Sequence, residues 1–331
     1  MRTRISFGPM TKTLLLAGVA SVGMMADASA KSGGYTFTAI NDPLAGTTYL
    51  QGTYAQGIND AGQIVGYFDD SGVTRGFVDT NGTFTTVNDG ANTWAEGIND
   101  LGRIVGYASA NGGFVGSNGV YTAVSNPNAV VGSTKATAIN TAGQIVGTYL
   151  PTLAIASFID TNGAFTTVSD PLGVEGTYAS AINASGQVAG YYLDSKDNPH
   201  GFLDTNGTFL TIDYPGAKIT SWATGLNDSG EVVGYYIGTN DTYYTFLETN
   251  GTYTTISSPP GSTETWATGI NDSGDIVGYY WDSMSVVHGF LATRDGGTTD
   301  GAPLPVIGGT LPGGLLLLGW LGWCLPRRRR A

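Results

Sequence analysis

One position of this 331-residue chain carries side chains suited to binding, and it recurs six times. Five of its occupants are aromatic. An aromatic ring offers a flat apolar face that can stack on a sugar ring, while neighbouring Asp and Glu can accept hydrogen bonds from hydroxyl groups. In chain order the occupants are Tyr54, Trp94, Lys135, Tyr178, Trp222 and Trp266. We predict a binding surface here, with a polysaccharide as candidate ligand; the alternative is that these rings pack between repeats as spacers.

Catalytic chemistry has less support in the sequence. His200 and His288 are the only histidines, and they occupy equivalent positions in two repeats, which favours a structural or hydrogen-bonding role over that of a general base. The only cysteine, Cys324, lies near the C-terminus, so the repeats contain neither a thiol nucleophile nor a His/Cys metal site. We therefore expect no catalytic residue and no cofactor. Two alternatives stay open: calcium bridging the acidic loops, and loop carboxylates that cleave glycosidic bonds.

The positions above belong to a repeat whose copies are 40 to 44 residues apart. Each copy has an Asn followed three residues later by Gly. An Asn side chain can cap its own turn and Gly accepts the positive φ at the exit, so this spacing is typical of a type I turn with a bulge. The Asn residues are Asn59, Asn99, Asn140, Asn183, Asn227 and Asn271. Because the turn recurs in every copy, we interpret these residues as structural.

Each repeat predicts four short strands, because its hydrophobic pattern has period two and Gly, Asn and Asp interrupt it. The first strand carries small residues at two alternate positions in every copy, such as Ala55 and Gly57, which suits strands crowded about a common axis. Large residues of the third strand, such as Phe77, can fill the wider gap farther out. We predict an all-β fold, a six-bladed β-propeller with four antiparallel strands in each blade.

The sixth repeat lacks a fourth strand, and residues 35–42 match the fourth-strand sequence of the other copies. We predict that this N-terminal strand completes the last blade and closes the ring. The two short turns of each repeat must then lie on one face. The connections on the other face, where the six aromatic-rich positions begin the inner strands, are longer and differ between copies, which is typical of binding loops.

The composition of the two ends differs from that of the repeats. Residues 1–30 have the basic start, apolar run and small-residue site of a signal peptide, which implies signal peptidase as a partner. We predict the propeller at 31–294, a polar linker at 295–305, and an apolar segment with a terminal arginine cluster at 306–331 that would be the only membrane contact. Between residues 31 and 305 there are 7 Lys and Arg against 25 Asp and Glu, a balance of −18 that argues against nucleic-acid binding.

Two stretches resemble known bacterial families. The C-terminal Pro303, Leu304 and Pro305, followed by the apolar segment and arginines, are similar to the Val-Pro-Leu-Pro-Ala variant of the PEP-CTERM sorting signals, although both outer positions differ. That resemblance implies processing by an exosortase-type protease in a bacterium that makes exopolysaccharide. The repeats, with His200-Gly201-Phe202 and Gly269-Ile270-Asn271-Asp272, resemble the HAF family of extracellular repeats, which implies export but no particular reaction.

These observations together predict an exported cell-surface or matrix protein that acts as a non-catalytic binding module, with exopolysaccharide as candidate ligand. A glycan-active propeller hydrolase or lyase is one alternative. A purely structural surface protein is the other.

Overall fold

The computed structural model describes residues 30–295 except 91, 153, 154 and 219. The predicted signal peptide up to residue 29 and the chain from 296 on, with the motif residues Pro303, Leu304 and Pro305, lie outside the described residues. Within the described part the regular structure is entirely β. No helix in that part has the length and hydropathy needed to cross a membrane. The predicted all-β class is confirmed.

The described chain forms 25 strands. They are β1 (Ala30–Ser32), β2 (Tyr35–Ile40), β3 (Gly52–Ile58), β4 (Ile64–Asp70), β5 (Val73–Thr80), β6 (Thr83–Val87), β7 (Thr93–Ile98), β8 (Ile104–Ala108), β9 (Gly112–Ser117), β10 (Val120–Val124), β11 (Lys135–Ile139), β12 (Ile145–Tyr149), β13 (Ala156–Thr161), β14 (Ala164–Val168), β15 (Gly176–Ile182), β16 (Val188–Leu193), β17 (Pro199–Thr205), β18 (Thr208–Ile212), β19 (Ser221–Leu226), β20 (Val232–Ile237), β21 (Tyr243–Thr249), β22 (Thr252–Ile256), β23 (Glu264–Ile270), β24 (Ile276–Trp281) and β25 (Val287–Arg294). Buried and half-buried residues alternate along inner strands such as β7, which is the period-two signal of the sequence.

Each repeat folds as an antiparallel unit of four strands, and the units form a β-propeller. Unit 2 (β7–β10), unit 3 (β11–β14), unit 4 (β15–β18) and unit 5 (β19–β22) are separate four-stranded sheets. The other nine strands form a single sheet that contains unit 1 (β3–β6), unit 6 (β23–β25 with β2) and β1. Counted as hydrogen-bonded sheets, the four-stranded blades therefore number four, and the prediction of six separate blades is wrong in this respect.

Units 1 and 6 are joined because the backbone of β3 comes unusually close to β25. Gly52 and Val287 form one parallel bridge, and the Val287 amide donates to the carbonyl of Gln51 at 2.9 Å. Gly52 has a φ of 139°, and a Cβ atom there would collide with the Val287 carbonyl oxygen. Only glycine tolerates both conditions.

The ring closes through the N-terminal strand. β2 pairs antiparallel with β25, with Tyr35 opposite Arg294 and Ala39 opposite Phe290. The predicted completion of the last unit by the N-terminal strand is confirmed. β1 forms an additional hairpin with β2, which the sequence analysis did not predict.

The turns follow the predicted chemistry on one face and depart from it on the other. At the first-to-second strand turns the exit glycines have positive φ, for example 74° at Gly62, and the Asn81-Gly82 hairpin has positive φ at both residues. On the other face the connection between β4 and β5 is a two-residue turn of Ser71 and Gly72, also with positive φ. The prediction of longer connections on this face is therefore wrong for this one, because strand pairing continues through Asp70 and Val73.

A phenylalanine on the third strand fills the centre of each unit. Phe77 is fully buried and lies opposite Gly66 of the second strand, where a Cβ would approach the Phe77 ring to 2.9 Å. The glycine of the recurrent Ile-Val-Gly sequence thus makes room for the ring. The equivalent buried rings are Phe114, Phe158, Phe202, Phe246 and Phe290.

Candidate functional site: the central channel and its aromatic collar

The first strands of the six units line a channel along the propeller axis. Their small residues permit close approach, as predicted: a Cβ on Gly57 would lie 3.1 Å from the Glu96 carbonyl of the next unit, and one on Gly225 would lie 2.9 Å from the Cα of Gly269. A cavity of about 80 Å³ lies in the middle of the channel and another of about 70 Å³ lies at the short-turn face. The side chains that border these cavities therefore come from all six units.

At the short-turn face, the six asparagines form a closed ring. The Nδ2 of each Asn donates to the backbone carbonyl of the Asn in the next unit, from Asn59 to Asn99 at 3.1 Å and onward until Asn271 returns to Asn59 at 3.4 Å. Each Oδ1 also accepts the backbone N–H four residues later, as at Gln63. These hydrogen bonds within and between turns fit the structural role predicted for the six asparagines. The link between units was not predicted, because it joins residues about one repeat apart.

Next to this ring, Asp60, Asp100, Asp228 and Asp272 border the channel opening. All four carboxylates accept a backbone N–H from the neighbouring unit, as when the Asp272 amide donates to Asp60 at 2.8 Å. Burial raises the pKa of Asp272, and the nearby charges of Asp228 and Asp60 raise it further. Most polar groups described at this face therefore form hydrogen bonds with other residues of the protein.

At the opposite end, the predicted aromatic positions and the second-strand residues across from them form what we call the collar. Trp94 stacks on Tyr107 at 4.8 Å between ring centroids, and Tyr178 stacks on Tyr191 at 4.6 Å. The same stacked pairs are Tyr54 with Tyr67, Trp222 with Tyr235, and Trp266 with Tyr279. The second-strand tyrosines were missed in the sequence, although their recurrence after the Ile-Val-Gly pattern was a usable signal.

The collar residues differ in exposure. Tyr54, Trp94, Tyr178 and Trp222 are half-buried and keep part of each ring accessible. Trp266 is only 7% exposed, and its ring also lies 5.0 Å from that of Trp281. Four of the five aromatic positions therefore remain available to a ligand, and the fifth is closer to the spacer role.

The rings are continuous across units 5, 6 and 1. Tyr54 contacts Tyr279 edge-on at 5.1 Å, and Tyr243 bridges Trp222 at 6.3 Å and Trp266 at 5.3 Å. Unit 3 interrupts the collar, because Lys135 pairs with Thr148 across the strands and no ring stands there. The exposed Lys135 ammonium lies 4.5 Å from the centre of the Tyr107 ring, a cation–π contact between units 2 and 3.

Beneath the collar, a second ring of side chains borders the 80 Å³ cavity. In three units the residue is threonine, and its hydroxyl donates to a backbone carbonyl of the next unit: Thr137 to Ala179, Thr224 to Ala267 and Thr268 to Ala55. In the other three units the residue is Gln56, Glu96 or Ser180. These three side chains make no hydrogen bond with any residue that the structure describes.

Among the residues that the structure describes, Glu96 is the only carboxylate that borders this cavity. Protein surrounds it, although water in the channel can reach it, and burial raises the pKa of its carboxyl to about 7 while the charge of Lys135 acts to lower it. Burial raises the pKa values of Tyr67, Tyr107 and Tyr279, and the charge of Glu96 raises them further. The charge of Glu96 therefore acts on tyrosines of three units. The sequence analysis did not identify Glu96, because no motif or repeat distinguishes it from the other Asp and Glu residues of the chain.

The two histidines lie outside the channel. His200 Nδ1 is 2.7 Å from Asp213 Oδ2, and its ring stacks on Tyr192 at 5.2 Å. His288 is likewise placed between Asn41 and Asp282 and stacks on Tyr280. These contacts fit the predicted hydrogen-bonding role.

The described residues include no group of three or more His, Cys, Asp or Glu side chains placed to hold a metal ion. Cleavage of a glycosidic bond by the usual mechanism requires two carboxylates on either side of the bond. In the cavity Glu96 has no second carboxylate beside it. Of the loop acids, Asp194 accepts the backbone amides of Lys196 and Asn198 and so serves its own turn. The arrangement is suited to holding a ligand against rings and a single acid.

Comparison with protein-family models and with curated proteins gives no match. Among solved structures, the chain is similar to the gluconolactonase XC5397 from Xanthomonas campestris, with 11% identity over 78% of this chain and 89% of that chain and a TM-score of 0.48. It is also similar to the β-propeller domain of the trilobed protease from Pyrococcus furiosus, at 11% identity, 83% and 98% coverage and a TM-score of 0.48. A third is the fucose-recognising, six-bladed lectin of Aleuria aurantia, at 13% identity, 77% and 100% coverage and a TM-score of 0.42. At these identities the likeness concerns the fold alone.

Proposed function

We propose that this protein is an exported, non-catalytic carbohydrate-binding module of the cell envelope or extracellular matrix, and that it binds glycan at the collar. The observation that carries the proposal is the set of half-buried rings, each held rigid by a stacked partner, around one mouth of the channel. Preformed aromatic faces lose little conformational entropy on binding, which is why such rings serve as anchors for ligands.

The loops that surround the collar have features of an interaction surface, which supports binding at this face of the propeller. Large apolar side chains are exposed there, among them Tyr49 at 71% and Val131 at 99%. Exposed apolar side chains gathered on the variable loops of a rigid scaffold are typical of an interaction surface. The short-turn face has its polar groups bonded within the ring, so it offers a ligand less.

The proposed location rests on the two chain ends. We propose export by the signal peptide 1–30, removal of that segment by signal peptidase, and tethering at 306–331 until an exosortase-type protease acts at Pro303, Leu304 and Pro305. The candidate ligand is then an exopolysaccharide, which would surround the protein at that location. Substituting the Pro-Leu-Pro motif should leave the protein in the membrane fraction; unchanged release would contradict this part.

Retention on immobilised polysaccharides tests the binding proposal. The double variant Trp94→Ala with Trp222→Ala should lose retention while keeping its β-sheet circular dichroism, because both rings are half-buried. Trp266 is left unchanged because its burial makes its loss a test of folding. The matched control is Phe209→Ala, which removes a ring packed 5.3 Å from Phe202 on an outer strand far from the channel. Equal retention by the double variant and the wild type would overturn the proposal.

A purely structural surface role is the second candidate, favoured by the exposed apolar loop residues, which could equally contact another protein. In that case a glycan array should show no binding, and Val131→Asp should reduce assembly at the cell surface. Glycan cleavage stays a third hypothesis, which the appearance of new reducing ends during the retention assay would support.

A further inference from the structure

The ring of six residues beneath the collar contains one charged side chain, that of Glu96. Of the six residues in the ring beneath the collar, three are threonines bonded to the next unit, and Gln56 and Ser180 are neutral. Glu96 alone is charged, it is surrounded by protein, and it accepts no hydrogen bond from the described residues. Burial disfavours the ionised carboxylate, so its neighbourhood favours a ligand that brings a donor with positive charge.

The depth of Glu96 suits a group carried by a ligand at the collar. Glu96 follows Trp94 by two residues on β7, so its Cα lies about 7 Å farther into the channel at about 3.3 Å per strand residue. The side chain is two methylenes long and borders the cavity, and its charge acts on Tyr67, Tyr107 and Tyr279. A substituent on a sugar ring stacked at the collar can therefore meet the carboxylate.

The surroundings favour an ammonium group over other donors. Tyrosine faces attract cations, and the protein's own Lys135 ammonium already lies over the Tyr107 ring at 4.5 Å. The repeat region has a balance of −18, which repels acidic polysaccharides and attracts cationic ones. Ring faces, a single acid and a negative field together match a sugar with a free, protonated amino group.

We infer that the collar and the cavity beneath it select glycans carrying unacetylated amino sugars, with Glu96 binding the ammonium group. This inference rests on the proposed glycan-binding function. Acetylation of the amine removes its charge and adds bulk, so an N-acetylated glycan would leave the Glu96 carboxylate without a partner.

Isothermal titration of the purified protein with the β-1,4-linked tetramers of glucosamine, N-acetylglucosamine and glucose tests the inference. Near neutral pH the glucosamine tetramer should bind at least about tenfold more tightly than the other two, the size expected of one charge-assisted hydrogen bond. Glu96→Gln should abolish the preference while keeping the weaker binding of the glucose tetramer. Glutamine fits this ring, since Gln56 occupies it in unit 1.

The outcomes distinguish the inferred amino-sugar selectivity from the proposed glycan binding on which it rests. Equal affinities for the three tetramers, or a preference that survives in Glu96→Gln, would overturn the amino-sugar inference and leave the glycan-binding function standing. No binding of any tetramer or polysaccharide would remove both. Methylamine that binds as tightly as the glucosamine tetramer would overturn the assignment to a glycan.

A pH titration gives a readout that does not depend on a variant. The charged and titratable groups around Glu96 are Lys135, Tyr67, Tyr107 and Tyr279. Burial raises the pKa of the Glu96 carboxyl to about 7. As the pH falls below about 7, the carboxyl takes up a proton, so affinity for the glucosamine tetramer should fall while that for the glucose tetramer stays constant. Parallel curves for the two tetramers would count against Glu96 as the ammonium partner.

Discussion

At the short-turn face of the propeller, every Asn side chain donates to the next unit and accepts from its own turn, so the ring of six completes itself. At the collar face the equivalent positions hold different residues, and four of their five rings remain half-buried. The side chains of Glu96, Gln56 and Ser180 beneath them make no hydrogen bond with a described residue. The same six strands thus begin in an irregular site and end in a regular one.

This difference indicates how one repeated unit can both hold the fold together and bind a ligand. Where the units must dock on one another, each copy requires the same residue, because a single departure leaves a buried donor or acceptor without its partner. Where no such constraint acts, the copies can differ, and a channel of six similar strands can acquire one charge. Strand β7 carries Trp94 and Glu96 and is followed by Asn99, so one strand permits a direct comparison.

The largest expected effect comes from breaking the regular face. Asn99→Ala removes a donor at 3.0 Å to the Asn140 carbonyl, in a buried hydrogen bond, and an acceptor at 3.0 Å for the Arg103 amide, in a partly buried one. We expect a loss of about 2–4 kcal/mol in the free energy of unfolding, measured with urea. Leu101→Ala, at an exposed site of the same turn, is the control and should change it by less than about 0.5 kcal/mol. Equal effects of the two variants would contradict the role of the ring.

Trp94→Ala, in contrast to Asn99→Ala, should lower ligand affinity more than it lowers stability. Losing one ring of the collar should lower glycan affinity about twofold to tenfold, since a stacked aromatic contact is worth about 0.5–1.5 kcal/mol. The free energy of unfolding should fall by only about 1 kcal/mol, because the ring is half-buried. Trp94→Phe keeps an apolar ring and should retain most of the affinity. A large loss of stability with unchanged affinity would assign Trp94 to the spacer role instead.

Closure of the ring has a smaller electrostatic component. Arg294 of β25 donates to both carboxylate oxygens of Glu231, at 3.0 and 3.1 Å, and to the Tyr35 hydroxyl at 3.4 Å. Because the guanidinium is partly exposed, Arg294→Ala should cost about 1 kcal/mol and increase hydrogen exchange in β2. Lys196→Ala removes the same charge from an exposed loop and should cost less. Unchanged exchange in β2 would show that strand pairing alone holds the closure.

The smallest expected effect is the loss of the stabilising contribution of Asp194, on the face opposite the short turns, at low pH. The backbone amides of Asn198 and Lys196, with the nearby His200, lower the pKa of Asp194 to about 2. A lowered pKa in the folded state adds stability above the unfolded value near 4 and loses it as the pH falls toward 2. The stability difference between wild type and Asp194→Asn should therefore shrink over that interval in thermal unfolding. A difference that stays constant with pH would contradict this role of Asp194.

How far the sequence predicts the molecule depends on whether a feature is repeated. The turn residues, the buried Phe of each third strand and the closing strand near Tyr35 recur or match another copy, so comparing copies reveals them. The predicted collar residues recur too, and whether they bind a ligand stays a prediction. The tyrosines at Tyr67 and its equivalents were within reach of the same comparison.

Features that belong to one copy could not be found in that way. The bridge between Gly52 and Val287 merges two predicted blades because two units happen to approach there, and the two-residue turn at Ser71 shortens a single loop. Glu96 is one acid among many in the sequence. Its raised pKa results from burial in a channel that the strands of all six units form.

The strand pattern, the turn chemistry and the order in which the units close can be read from the chain alone, because period, glycine placement and asparagine placement are local properties. Which unlike residues face one another across the axis depends on how the units assemble in the folded protein. That arrangement sets burial, ring contact and charge interaction, which depend on distances between units and not on separation along the chain.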